Sequence, residues 1–174
     1  MFMRKKKTFI LDCPSSFKKK LIFFLEKKSR FCFLDSNNSS RSSFDYLAAF
    51  GVKKTCCPEK NIFKSFQKFL DDNKDWVFGH FSYDLKNEIE DLKSENKDFF
   101  EFDKLNFFIP FYIFKVKKKT LTIIYDDSKK DTVSIYNKIL NYNHSEIIKG
   151  KFSVKSDISK KKYLSTIDSI KNHI

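Results

Sequence analysis

The stretch that most restricts the possible folds is Trp76 to Leu85, WVFGHFSYDL. Side chains alternate along a strand, so Trp76, Phe78, His80 and Ser82 share one face and Val77, Gly79, Phe81 and Tyr83 the other. Both faces carry aromatic or β-branched residues. That predicts a strand covered on both sides, near the middle of a sheet. Gly79 interrupts the bulk, and a glycine inside a strand marks a bulge or a close approach of backbone. Asp84 is placed to cap a helix from Leu85, with Glu88, Ile89 and Leu92 along one side.

The same patterns extend in both directions. Lys7 to Asp12 and Phe31 to Ser36 read as strands, the second apolar enough for a buried position. Pro14-Ser15-Ser16 breaks the first and offers a helix N-cap. Phe17, Leu21, Phe24 and Leu25 then recur at helical spacing, and this helix is expected to end near Lys28. Phe44 to Phe50 reads as a third strand, stopped by Gly51. Ile62, Phe63, Phe66, Phe69 and Leu70 make an amphipathic helix ended by Asp71-Asp72-Asn73. Lys93 to Asp98 is polar enough to be an exposed loop.

Leu105 to Val116 and Thr120 to Tyr125 form a hairpin about Lys117-Lys118-Lys119. Pro110 has no N–H for a ladder, so it belongs at an edge, a bulge or a strand's beginning. Asp127 or Ser128 can cap a helix over Val133, Tyr136, Ile139 and Leu140. Lys151 to Ser156 alternates as a short strand. Ser159 opens a last helix with Tyr163, Ile167, Ile170 and Ile174 on one face. The expected class is α+β, a mostly antiparallel sheet with helices packed outside. At 174 residues and 41% hydrophobic, the chain can bury a real core.

Chemistry is sparse. His80, His144 and His173 lie far apart, and His80 reads as a satisfied core histidine. Gly51, Gly79 and Gly150 are isolated, so no phosphate-cradling loop is present. Cys13, Cys32, Cys56 and Cys57 form no Cys-x-x-Cys pair, and Cys32 reads as a small core residue. Free thiols, no secretory leader and no membrane-length apolar run point to the cytoplasm. The net charge of +13 is spread over separate lysine runs. A solvated surface accounts for it better than a nucleic-acid or membrane-binding face.

Gly79, Ser82, Tyr83, Asp84, Leu85, Lys86, Asn87 and Glu88 carry a resemblance. An aromatic strand with Gly-x-x-(Ser/Gly)-Tyr-(Asp/Glu), then a short acidic helix, resembles the N-terminal region of the chorismate-utilising enzymes. These are component I of anthranilate synthase and of aminodeoxychorismate synthase. The run SYDLKNEIE is more similar to the aminodeoxychorismate, or para-aminobenzoate, branch. Leu34-Asp35-Ser36, a polar loop and Ser42-Ser43-Phe44-Asp45 resemble a second segment of the family. The aromatic-Pro step at Pro110 is a third, weaker likeness. Ser159 to Ile174 resembles the first helix of the family's chorismate-binding domain.

The resemblance implies a 1–157 N-terminal α+β domain. It also implies a 158–174 first helix of a truncated catalytic domain, leaving this piece without catalytic residues or a cofactor. For the full enzyme it implies magnesium, a glutamine amidotransferase partner and the chain's own C-terminal chorismate-binding domain, making aminodeoxychorismate for folate synthesis. In feedback-inhibited members the second segment helps bind tryptophan. The matching positions are Ser36, Arg41, Ser42, Ser43 and Phe44, where hydroxyls and loop amides can hold an amino acid and Phe44 can pack on an indole. Asp35 replaces the glutamate usual in regulated members, and Arg41 stands where an aromatic residue is often found. Two alternatives remain: the anthranilate branch with a tryptophan feedback site, and a small basic nucleic-acid-binding module resting on the charge alone.

Overall fold

An almost unbroken β-branched and aromatic run makes residues 105–117 the axis of the sheet. A computed structural model of the chain describes residues 4–90, 100–129, 131–142 and 153–173. The chain divides into two units, Met1–His144 and Ser145–Ile174. In order, the first holds β1 (Lys5–Ile10), α1 (Pro14–Glu26), β2 (Phe31–Asp35), β3 (Tyr46–Cys56) and α2 (Ile62–Asn73). It continues with β4 (Phe78–Phe81), a 3-10 helix (Tyr83–Glu88), β5 (Leu105–Lys117), β6 (Thr120–Tyr125) and α3 (Thr132–Leu140). The second unit holds α4 (Lys160–Lys171), capped by Ser159, whose Oγ accepts the Lys162 N–H at 3.2 Å.

The sheet is ordered β1-β6-β5-β3-β2, with β4 also beside β5, and its pairings are antiparallel. The class is therefore α+β with a mostly antiparallel sheet, as the sequence patterns lead one to expect. β5 has β3 along one side, from Tyr46↔Val116 to Cys56↔Phe107. On the other side its first residues, Leu105 to Phe108, pair with β4, and Tyr112 to Lys117 pair with β6. Pro110 sits in the gap between those two partners, opposite Val52, where β3 slips register between Val52 and Lys54. A residue without an N–H is tolerated there because the ladder is already broken.

α1 and α3 cover one face. Phe17, Leu21 and Leu25, spaced one turn apart, and Ile139 pack against Tyr46, Ala48, Phe50, Phe114, Val116, Leu121 and Ile123. The reverse face gathers Leu47, Ala49, Ile113 and Ile124 with Phe78 and Phe108. α2 supplies Ile62 to a third cluster with Cys56, Leu85 and Leu105. Each fully buried Leu, Ile or Phe contributes roughly 1.5–3 kcal/mol of transfer free energy.

Charged groups close the fork where β5 exchanges β4 for β6. Arg4 grips Asp75 with two nitrogens, at 2.5 and 3.1 Å, and donates to the Pro110 carbonyl at 2.7 Å. Lys53 holds Asp126 at 2.6 Å. The Arg4 and Asp75 side chains are 7% and 4% exposed. At that depth the two-pronged pairing offsets much of the desolvation cost. The Lys53 ammonium, then the Ser128 hydroxyl, hold the Asp126 carboxyl down to about 2.

Several expectations are corrected. Trp76–Leu85 is not a central strand: β4 is four residues long, pairs only with β5, and exposes Gly79, His80 and Phe81. His80 is therefore exposed, not a core histidine. β2 is an edge strand with Phe31 and Leu34 exposed, not a buried one. β3 does not stop at Gly51 but passes through it, with φ +72 there, to Cys56. Tertiary pairing decides all three, since apolar runs of central and edge strands read alike.

The helix caps differ too. Pro14 is the first residue of α1 and Cys13 precedes it, so Ser15 and Ser16 are inside the helix. Asp84 lies within the 3-10 helix, which Ser82 precedes. α3 is capped by Asp131, which accepts the Ser134 N–H at 3.1 Å, and not by Asp127 or Ser128. Ser153 to Ser156 carry no strand. The Lys93–Asp98 loop, Leu92, His144, Gly150, Lys151, Phe152 and Ile174 lie outside the described residues.

Candidate functional site

The loop from Ser36 to Asp45 joins two strands whose register fixes its ends. The Ser36 N–H donates to the Asp45 carbonyl at 2.9 Å, one step beyond the Asp35↔Tyr46 pair. Asn37 and Asn38 take left-handed backbone, at φ 48 and 63, as asparagine tolerates. Two turns follow, Ser39 N–H to the Ser36 carbonyl at 3.0 Å and Ser42 N–H to the Ser39 carbonyl at 3.2 Å. Asparagines and serines here form the turns their local hydrogen bonding favours.

The five sequence-predicted positions share this one loop but not one role. Ser42 is committed to the loop: its Oγ accepts the Phe44 N–H at 3.3 Å and its carbonyl accepts Lys117 Nζ at 2.9 Å. The Phe44 ring is half-buried against the cluster of Leu47, Ala49 and Ile113. Ser36 is half-buried, while Arg41 and Ser43 are exposed at the rim.

Sequence reasoning missed the neighbour that gives the loop its charge. Lys117 also pairs with Asp45 at 3.0 Å, and the Lys118 N–H donates to the same carboxylate at 2.6 Å. Lys117, then the Lys118 amide, hold the Asp45 carboxyl below its ordinary range. Lys18 does the same for Asp35, helped by the Asn37 N–H. The cationic turn between β5 and β6 thus lies against the serine loop. Lys117 Nζ and the Lys118 N–H are taken up by Asp45 and the Ser42 carbonyl, and Arg41 is the exposed cation on the loop itself. The signal in sequence was only the lysine run, which says nothing of what it sits beside.

The resembling segment that begins at Gly79 is held by a close strand approach. A Cβ on Gly79 would come within 2.0 Å of the Asn106 carbonyl oxygen and 2.6 Å of Phe107 Cα. Only glycine lets β4 reach β5 there, as the lone glycine in the strand predicted. Beyond it, Asp84 and Glu88 pair with Lys86 at 3.8 Å and Lys104 at 2.5 Å. Two polar atoms beside β4 are buried with no hydrogen-bond partner among the described residues, Ser82 Oγ and Arg30 Nη1.

Among the described residues no three His, Cys, Asp or Glu side chains are grouped to hold a metal. Burial raises the Cys32 and Cys56 thiols, and no cysteine is in a disulfide. Among the described residues no helix is long and apolar enough to cross a membrane. Compared with known families and with curated proteins, the chain matches no family model and no curated sequence.

Proposed function

We propose that this chain is the N-terminal domain of a cytoplasmic aminodeoxychorismate synthase component I. In that reading it shelters a chorismate-binding domain, helps to seat a glutamine amidotransferase, and leaves the magnesium-dependent chemistry to the rest of the enzyme. The observation that carries the reading is that the two ends of the second resembling segment meet on one hairpin. Leu34-Asp35-Ser36 ends β2, Ser42-Ser43-Phe44-Asp45 leads into β3, and the Ser36–Asp45 hydrogen bond joins them. The second role is to hold an amino acid such as tryptophan at that loop. Its carboxylate would face Arg41, and its ammonium the loop carbonyls.

Complementation tests the enzyme reading. The whole reading frame containing these residues is expressed in bacteria lacking component I of either branch. Growth without para-aminobenzoate supports the proposal. Growth without tryptophan moves the chain to the anthranilate branch, and rescue of neither overturns both. Calorimetry tests the loop: tryptophan binding that weakens at least about tenfold in Arg41→Gln is the expected result.

A further inference from the structure

A second site lies away from the serine loop, between the start of β2 and the β4–β5 pair. A cleft of about 420 Å³ opens there, lined by Arg30, Phe31, Gly79, His80, Asn106 and Phe108, among others. That volume falls in the range of small-ligand sites, roughly 300–1,000 Å³. Its two characters are separate. Phe31 is exposed and offers aromatic surface over a lining that includes the buried Phe108, while Arg30, His80 and Asn106 are polar.

Arg30 is the informative residue. Its Nη1 is buried and has no hydrogen-bond partner among the described residues. A buried cationic N–H without an acceptor is unfavourable, so natural structures rarely leave one unmet. Asp103, the carboxylate on which Arg30 acts electrostatically, does not bond it. Asp103 accepts Asn106 Nδ2 at 2.6 Å and the Cys57 thiol, and feels Arg30 and His80 only through space. Asn106 is thereby fixed and Arg30 is left with a donor for an acceptor from outside. One guanidinium above aromatic surface suits a single carboxylate. A phosphate is better held by several cations, and among the described lining residues Arg30 is the one lysine or arginine.

We propose that the cleft binds a small monocarboxylic acid with an apolar body, its carboxylate on Arg30 and its body against the exposed Phe31. The proposal rests on neither the serine loop nor the enzyme reading. Phenylacetate titrated into the 174-residue chain, followed by calorimetry, is the test. A ligand of this size should bind with a Kd on the order of 1 mM. Arg30→Gln should weaken it at least about tenfold, and Arg41→Gln by less than about twofold. Phe31→Ala, at a side chain 42% exposed, removes the body contact without touching the core and should also weaken binding. No saturable heat below about 10 mM overturns the proposal. So does equal binding of the neutral phenylacetamide, or equal loss in Arg30→Gln and Arg41→Gln. Because tryptophan is also an aromatic carboxylate, the two arginine variants separate its binding at the loop from binding here.

Discussion

The two halves of β5 are built from similar residues and live in different surroundings. Ile113, Phe114 and Val116, in the half between β3 and β6, are fully buried, with helices on one face. The other half, between β3 and β4, has a short edge strand for a neighbour, and its cross-strand partners Gly79, His80 and Phe81 are exposed. Both halves are aromatic. Leu105, Phe108 and Ile109 are buried in the half beside β4 too, so what separates the halves is whether a full-length neighbour strand completes the sheet. The enclosed half carries stability, and the open half leaves Arg30, His80 and Asn106 around a cleft.

The sharpest way to break this comparison is to empty the enclosed half. Phe114→Ala should cost about 3–5 kcal/mol in urea unfolding, the range for a fully buried phenylalanine. A cost near 1 kcal/mol would mean that this half is not the core. Gly79→Ala strikes the open half. Its Cβ meets backbone, which cannot step aside, so the change should cost about 2–3 kcal/mol. Hydrogen exchange should speed up at Phe107 and Phe108 while Phe114 stays protected. Equal acceleration at all three would show one cooperative unit.

Acid probes the junction between the halves. The Asp126 carboxyl is held at about 2 in the fold against 3.8 unperturbed. A depressed carboxylate stabilises the fold fully above its unfolded value, and that contribution disappears as pH falls through the folded one. Stability on the order of 2 kcal/mol should therefore fade between pH 4 and 2, and the Asp126→Asn variant should lack this part of the slope. An unchanged slope would remove Lys53–Asp126 from the junction's energetics. The smallest effect is expected from Phe81→Ala, at a ring 52% exposed on β4. It should cost less than about 1 kcal/mol, and a cost like that of Phe114→Ala would erase the distinction between the halves.

Much of this architecture was legible because it is local. The α1 stripe of Phe17, Leu21 and Leu25, the β5–β6 hairpin, the Ser159 cap and the tight approach at Gly79 follow from spacing and residue type within a few positions. The candidate loop was located the same way, from serines and asparagines between two apolar runs. Its electrostatics were not. Lys117 lies 75 residues from the Ser42 carbonyl it binds, and no local pattern announces such a meeting. Arg4 opens a stretch of four basic residues, yet it is a buried partner of Asp75, 71 residues away. His80 was misplaced for a related reason, since a strand's own residues do not say whether it has one neighbour or two.

The sequence by itself determined the class of fold, the register of alternation in each strand, and the single position where only glycine permits two strands to meet. These depend on backbone geometry and on side-chain character within a few residues. Tertiary structure alone decided which aromatic run became the axis and which became the edge. It also brought the lysine turn against the serine loop and left Arg30 Nη1 without an acceptor among the described residues. Burial and charge pairing are set by residues far apart in the chain, whose meeting is fixed only when the sheet closes its pairings.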